Sequence, residues 1–204
     1  MWAVVKKSIN STLGKHTKTI DEICELESYK NFFDSLKMIK LISQSDSAID
    51  NLYTDDYNKI RIPARLYVGV DLPPVFVLNP SVRIIESRAF ESTTGLQYIY
   101  IPPHCEIQSL AFVSSRVTSF DFPNGTKIIA DQVLANCALL QTIDIPYSVK
   151  KISANAFRNS AALQRINYYG TMSDWGLIEK VSGWDSGTGN YTIYCLDGNI
   201  TKGT

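Results

Sequence analysis

The feature that most constrains the fold of this chain is a short pattern that its sequence repeats. Pairs of apolar residues recur at intervals of 22, 22 and 23 residues, and an isoleucine stands five residues before the second member of each pair. A unit this short cannot bury its apolar row alone, so neighbouring copies must stack, and the period predicts a solenoid. The pairs are Ala89-Phe90, Ala111-Phe112, Val133-Leu134 and Ala156-Phe157.

Each copy also carries the signature of one short strand. Ile143 and Ile145 alternate with polar residues at the period of two that a half-buried strand requires, and Pro146 ends the strand because proline has no N–H to donate. The residues between the apolar positions should point outward. Stacking then predicts two outward columns, one of Tyr98, Ser119, Thr142 and Arg165, and one of Tyr100, Asp121, Asp144 and Asn167.

The complete pattern resembles the BspA-like, or treponemal-type, leucine-rich repeat. The resemblance is carried best by residues 140–157, LQTIDIPYSVKKISANAF, and covers about residues 76–170, with residues 60–63 as a weaker first strand. Cys137 stands where this family often has cysteine, and the other copies have Thr93, Ser115 and Ser160 there. The resemblance implies a leucine-rich-repeat solenoid with one β-strand per repeat.

We therefore predict an α+β chain with three parts. Residues 60–170 should form four to five repeats of 22–23 residues, and residues 171–204, rich in Trp and Tyr, should cap the open end of the solenoid. Residues 1–59 should form a docking or oligomerisation segment with a short strand and one or two helices. The helices are indicated by helical spacing of apolar residues and by a helix-like pattern that continues through residues 48–53; the spaced residues are Phe33, Leu36, Ile39 and Ile42.

Composition and spacing argue against catalysis, cofactors, metals and nucleic acid. The 20 basic and 20 acidic side chains give a net charge of zero, so no overall field attracts a polyanion. The four cysteines are 81, 32 and 58 residues apart, which fits no zinc knuckle. Residues 185–188, Asp-Ser-Gly-Thr, match the aspartic-protease tetrapeptide, but that chemistry needs two carboxylates and the motif occurs once. We predict a non-enzymatic protein without cofactor or metal.

The outward columns supply the candidate ligand-binding residues. Aromatic rings offer flat contact area at low entropic cost, and carboxylates and amides offer the fixed hydrogen bonds that sugar or peptide recognition uses. The alternative is an ordinary solvated sheet face on which these side chains are merely tolerated. The candidates are Tyr98, Tyr100, Asp121, Asp144, Arg165 and Asn167.

Two functions are compatible with such a solenoid. Residues 1–10, MWAVVKKSIN, resemble the start of prophage tail-fibre-like proteins, and the sequence shows no Sec signal peptide and no membrane-spanning run. We expect a phage or prophage tail-associated protein, located in the virion, that binds a host-surface glycan or protein and contacts other tail proteins. A homo-oligomer, namely a trimer, is compatible with this role. The alternative is a bacterial cell-surface leucine-rich-repeat adhesin or scaffold protein.

Overall fold

The computed structural model describes residues 53–54, 60–78 and 82–202. These residues build six successive coils, and each coil contributes one strand to each of two parallel ladders. The strands are β1 (Tyr53–Thr54), β2 (Ile60–Ile62), β3 (Val75–Val77), β4 (Val82–Ile85), β5 (Tyr98–Tyr100), β6 (Glu106–Ile107), β7 (Ser119–Asp121), β8 (Ile128–Ile129), β9 (Thr142–Ile145), β10 (Lys151–Ile152), β11 (Arg165–Tyr168), β12 (Glu179–Lys180), β13 (Thr192–Cys195) and β14 (Gly198–Thr201). One helix, α1 (Met172–Leu177), lies in the last coil.

The two ladders use different parts of the repeat. The short-strand ladder consists of β2, β4, β6, β8, β10 and β12, and it aligns the isoleucines that precede each apolar pair, such as Ile129 opposite Ile152. The polar-face ladder consists of β3, β5, β7, β9, β11 and β13, and it is interrupted between β5 and β7, which belong to separate sheets. In its longer part it aligns Phe120 with Ile143 and Ile143 with Ile166. Residues 60–62 are a strand of the first coil, but Ile62 pairs with Ile85, so this strand belongs to the short-strand ladder.

Tight turns join the two strands of each coil. Each turn holds two residues with positive φ, four positions apart, with angles between 53° and 79°. Non-glycine residues reach this region only at a cost, so the turn needs support from outside itself. That support comes from the next coil, because the N–H groups of Phe90, Phe112 and Leu134 donate to carbonyls one coil further on, at 2.8–3.0 Å. The paired positions are Arg65 and Gly69, Arg88 and Ser92, Leu110 and Ser114, Gln132 and Asn136, Asn155 and Asn159, and Gly183 and Gly187.

Stacked aromatic rings fill the centre of the solenoid. Phe90 lies flat on Phe112, with ring centroids 4.9 Å apart and planes 3° apart, and Phe112 meets the edge of Phe120 at 4.9 Å. The series continues through Phe122, Phe157 and Trp184 to Tyr191. These contacts run along the apolar core from the second coil to the last, passing the fourth coil, where Leu134 stands in place of a phenylalanine.

A column of small polar side chains lies inside the turns. Thr93, Ser115, Cys137 and Ser160 are at most 1% exposed. Cys137 donates to the carbonyl of Phe112 at 3.2 Å, and Ser160 donates to that of Leu134 at 2.8 Å. The four positions are therefore equivalent in space, and Thr93, Cys137 and Ser160 each donate to a backbone carbonyl, while Ser115 is bonded to Cys137 Sγ.

Antiparallel strands cover one end of each ladder. β1 pairs with β2 at the N-terminal end of the short-strand ladder, and β14 pairs with β13 through a two-residue turn at the C-terminal end of the polar-face ladder. Helix α1 begins at a capping box, in which Asp174 N–H donates to the Thr171 side chain and the Asp174 carboxylate accepts from Thr171 N–H. Trp175 of this helix packs against Tyr168 and Trp184 in the sixth coil.

The solenoid prediction is confirmed, and two details of it are corrected. Six coils replace the four to five that were predicted, because the first and last copies lack the Ala-Phe pair and escape the pattern. The α+β class is not borne out in the described part of the chain, where α1 is only six residues long. The predicted N-terminal helices lie outside the described residues, except that Tyr53, placed in the helix-like pattern, begins strand β1.

The aromatic stack predicts a graded response to substitution at Phe112, which is fully buried. Phe112→Ala should lower the free energy of unfolding by about 3–5 kcal/mol, because the cavity adds to the lost transfer energy. Phe112→Leu should cost clearly less, since Leu134 takes the equivalent position in the next coil. Urea titrations of both variants against the unchanged protein would measure this, and equal losses would show that leucine cannot fill this position as Leu134 does in the next coil.

Candidate ligand-binding face

The outward side of the polar-face ladder carries all six residues that the sequence singled out. Register places Asp121 opposite Asp144, and Asp144 opposite Asn167. The inward residues Phe120, Ile143 and Ile166 are fully buried, so the alternation of the strands turns the polar side chains to the other side. Tyr98, Tyr100, Asp121, Asp144 and Asn167 are half-buried, and Arg165 is exposed.

Asp144 is the centre of a hydrogen-bond network on this face. Its carboxylate accepts from Asn167 Nδ2 at 2.6 Å and from the Tyr169 hydroxyl. Arg165 Nε donates to Asn167 Oδ1 at 2.7 Å, and the guanidinium lies 3.9 Å from the centroid of the Tyr194 ring. Three consecutive coils are therefore linked by side chains as well as by backbone, and the face is held in one arrangement.

A second cluster joins the second and third coils. The Tyr98 hydroxyl donates to Asp121 Oδ2 at 2.7 Å. Burial raises the pKa of Asp121, while the hydrogen bond from Tyr98 opposes this and the charge of Asp144 adds to it. Burial and the neighbouring Asp121 also raise the pKa of Tyr98, so the phenol keeps its proton and acts as a donor.

Two aromatic residues of this face were missed from sequence. Tyr169 falls within the predicted repeats but in neither predicted outward column, yet it donates to Asp144. Tyr194 lies opposite Asn167 and extends the second column by one coil. A signal was present, because Thr192-Ile193-Tyr194 repeats the polar–isoleucine–polar alternation of Arg165-Ile166-Asn167.

The face can make directional contacts but shows no reactive group. Its two carboxylates already accept hydrogen bonds from neighbouring side chains, so a ligand would meet fixed acceptors flanked by phenol rings. Within residues 60–78 and 82–202, no three His, Cys, Asp or Glu side chains are close enough together to hold a metal ion. Flat rings beside fixed polar atoms are the surface that sugar or peptide recognition needs.

Cys105, Cys137 and the protease-like tetrapeptide occupy structural positions. Burial raises the pKa of Cys105 to about 12 and that of Cys137 to about 11, so both remain thiols at neutral pH. Cys105 takes the buried position that Val82 and Val149 occupy in other coils. Asp185, the acid of the tetrapeptide, accepts from the Tyr191 hydroxyl at 2.7 Å and pairs with Lys202 at 3.1 Å, which ties the C-terminal strands to the last turn.

Comparison with known proteins identifies the family. The model described as "BspA type Leucine rich repeat region (6 copies)" matches residues 60–177. This match spans more than half of the sequence, and the chain therefore belongs to the BspA-type leucine-rich-repeat family. The six copies agree with the six coils of the structure.

A solved structure shares the fold. A leucine-rich cell-surface protein from Faecalibacterium prausnitzii is 32% identical, with a TM-score of 0.52, over 60% of this chain and 33% of that one. A leucine-rich-repeat protein of T. pallidum is 31% identical, with a TM-score of 0.48, over 52% of this chain and 51% of that one. The chain thus spans about a third and a half of their lengths. No curated protein sequence is significantly similar to this chain.

The sequence predicts no membrane-spanning segment. In the part of the chain that the structure describes, no helix is long and apolar enough to cross a bilayer.

The raised pKa of Asp121 predicts how stability changes with pH. The folded protein holds the Asp121 proton more tightly than the unfolded chain does. The contribution of Asp121 to the free energy of unfolding is therefore largest below the ordinary aspartate pKa of 3.8 and is lost as the pH rises through the raised value. Asp121→Asn should remove this decline, which urea titrations across that pH range would detect.

Tyr98→Phe provides the companion measurement. Tyr98→Phe removes the hydroxyl whose hydrogen bond lowers the Asp121 pKa, so the decline in the free energy of unfolding should extend to higher pH. If unchanged protein became more stable relative to Asp121→Asn as pH rises, the assigned direction of the shift would be wrong.

Proposed function

We propose that this chain is a non-enzymatic binding protein of a bacterial cell surface that contacts a glycan or protein ligand through the outward side of the polar-face ladder. The observation that carries the proposal is the network around Asp144, which fixes carboxylate, amide, guanidinium and phenol groups of three coils in one plane of strands. A surface that only faces solvent does not need such hydrogen bonds among its own side chains.

The proposed location at the cell surface is supported by similarity to a solved structure. The Faecalibacterium prausnitzii protein is a leucine-rich cell-surface protein, and it shares 32% of its aligned residues with this chain. A solenoid without a reactive group is suited to adhesion or scaffolding, because each coil adds contact area without changing its neighbours. The tail-fibre interpretation depends on residues 1–10, which lie outside the described residues, and it stays a prediction, as do virion partners and a trimer.

Antibody labelling tests the location. An antibody raised against this chain should label intact cells of the organism that encodes it, and protease treatment of those cells should remove the signal. Label on released tail particles and none on cells would instead favour the tail-associated protein to which the resemblance of residues 1–10 points.

Binding experiments test the face. Tyr100→Ala combined with Asp144→Ala should weaken binding to any ligand found on glycan or matrix-protein arrays by at least about tenfold, because Tyr contributes contact area and Asp144 holds Asn167 and Tyr169 in position. Glycan and protein arrays run in parallel separate the two ligand classes.

Arg158→Ala is the matched control for that experiment. Arg158 is exposed in a turn between the two ladders and belongs to neither outward column. It should leave affinity unchanged, and urea titration should show both variants folded. Unchanged affinity in the double variant would move the site away from this face.

A further inference from the structure

The third coil is one residue shorter than its neighbours at one place. From Ile101 to Ile107 there are seven residues, whereas the equivalent segments Phe122–Ile129 and Ile145–Ile152 each contain eight. Cys105 still occupies the buried position, and its N–H still donates to Pro102, as that of Val149 does to Pro146. The missing residue therefore falls between Cys105 and Ile107, inside the short-strand ladder.

This shortening breaks the ladder between β6 and β8. Elsewhere, the N–H after each short strand donates to the carbonyl of the last strand residue in the preceding coil, at 2.9–3.0 Å. The four bonds are Glu86 to Ile62, Gln108 to Ile85, Ser153 to Ile129 and Val181 to Ile152. The fifth, from Ala130 to Ile107, is not formed among the described residues, and β6 and β8 belong to separate sheets.

The coils remain in contact on both sides of the break. On one side, His104 adopts a φ of 61° and its N–H donates to Asn124 at 2.8 Å. Gly125 makes this close approach possible, because a Cβ there would lie 2.4 Å from the His104 Nδ1 atom. On the other side, Leu110 N–H donates to Asp131 at 3.1 Å. Hydrogen bonds between the two coils therefore bound the gap on both sides. The gap is local and requires no change of twist along the whole solenoid.

A cavity of about 710 Å³ occupies this gap. Its lining includes Ile107 and Ala130, the two residues whose backbone groups fail to meet, together with Glu106, Lys127 and Ile128. The Ile128 side chain is 58% exposed. The volume falls within the range of about 300–1,000 Å³ that is usual for small-ligand sites.

We propose that this gap, which we call the inter-coil cleft, binds a short extended peptide segment through its main chain. The Ala130 N–H and the Ile107 carbonyl are the donor and the acceptor that a ladder normally joins, and a peptide amide supplies the complementary acceptor and donor. Such groups are costly to leave unpaired when water is excluded. The inter-coil cleft is in the short-strand ladder, so this site does not depend on the polar face of the proposed function.

The side chains of the inter-coil cleft narrow the kind of peptide. Lys127 and Glu106 place opposite charges at the two coils, and the exposed Ile128 offers an apolar contact. A segment that carries an acidic, an apolar and a basic residue matches these three groups. An N-acetylated sugar also carries an amide, but it lacks the strand-like spacing of successive main-chain groups.

Nuclear magnetic resonance on the full chain tests the cleft first without ligand. The Ala130 amide should exchange with solvent at least about tenfold faster than the Ser153 amide, which is bonded to Ile129 at the equivalent position. Equal protection of the two amides would show that the ladder is closed and would overturn the proposal.

The same spectra then test binding. Millimolar acetyl-Glu-Leu-Lys-amide should shift the Ala130 and Lys127 amide signals and leave that of Ser153 in place. No shift, or shifts with N-acetylglucosamine alone, would overturn the assignment to a peptide.

Two variants complete the test. Insertion of one serine between Cys105 and Glu106 should restore the eight-residue segment, close the inter-coil cleft and abolish the shifts. Lys127→Glu should weaken binding at least about fivefold, whereas Lys150→Glu, at the equivalent position of the next coil, should not. Binding that survives both the insertion and Lys127→Glu would overturn the proposal.

Discussion

Hydrogen bonds between the backbones of successive coils are the interaction on which the rest of this structure depends. Each coil is too short to bury its own apolar residues, so it is stable only when its strands and turns bond to the coils before and after it. The N–H groups that follow the short strands donate to the preceding coil, as in Ser153 to Ile129, and N–H groups in the turns donate to the following one, as in Phe112 to Val133. The two directions together lock each coil between its neighbours.

The side chains follow from this backbone repeat. Identical positions in successive coils lie directly above one another, so a column in the sequence becomes a column in space. Inside, this produces the aromatic stack and the buried column of Thr93, Ser115, Cys137 and Ser160. Outside, it produces the polar face, where Asp144 bonds to Asn167 of the next coil at 2.6 Å. The same geometry therefore builds the core and the candidate binding surface.

Sequence reasoning succeeded where one residue type persists in a column. The Leu-x-x-Ile-x-Ile-Pro pattern was sufficient to predict the polar-face ladder and its outward residues, because alternation at period two leaves little freedom. It missed the short-strand ladder as a ladder, since strands of two residues, such as Lys151–Ile152, carry no alternation that could be detected. It also missed the sixth coil, in which Lys180 stands opposite Ile152 and the Ala-Phe pair is absent. The membership of Tyr194 in the polar face was lost for the same reason, and that of Tyr169 was lost because it lies one residue beyond strand β11.

The sequence by itself determined that this chain forms a solenoid of the BspA-type leucine-rich-repeat family and which side chains point out of it. The cause is physical: a fixed period forces equivalent residues into register whatever the details of the turns. Only the tertiary structure decided how those side chains pair, because Tyr98 with Asp121 and Asp144 with Tyr169 are contacts between coils. Only the structure shows that one missing residue near Cys105 opens the ladder, since the sequence does not say where in the coil a shortening is absorbed.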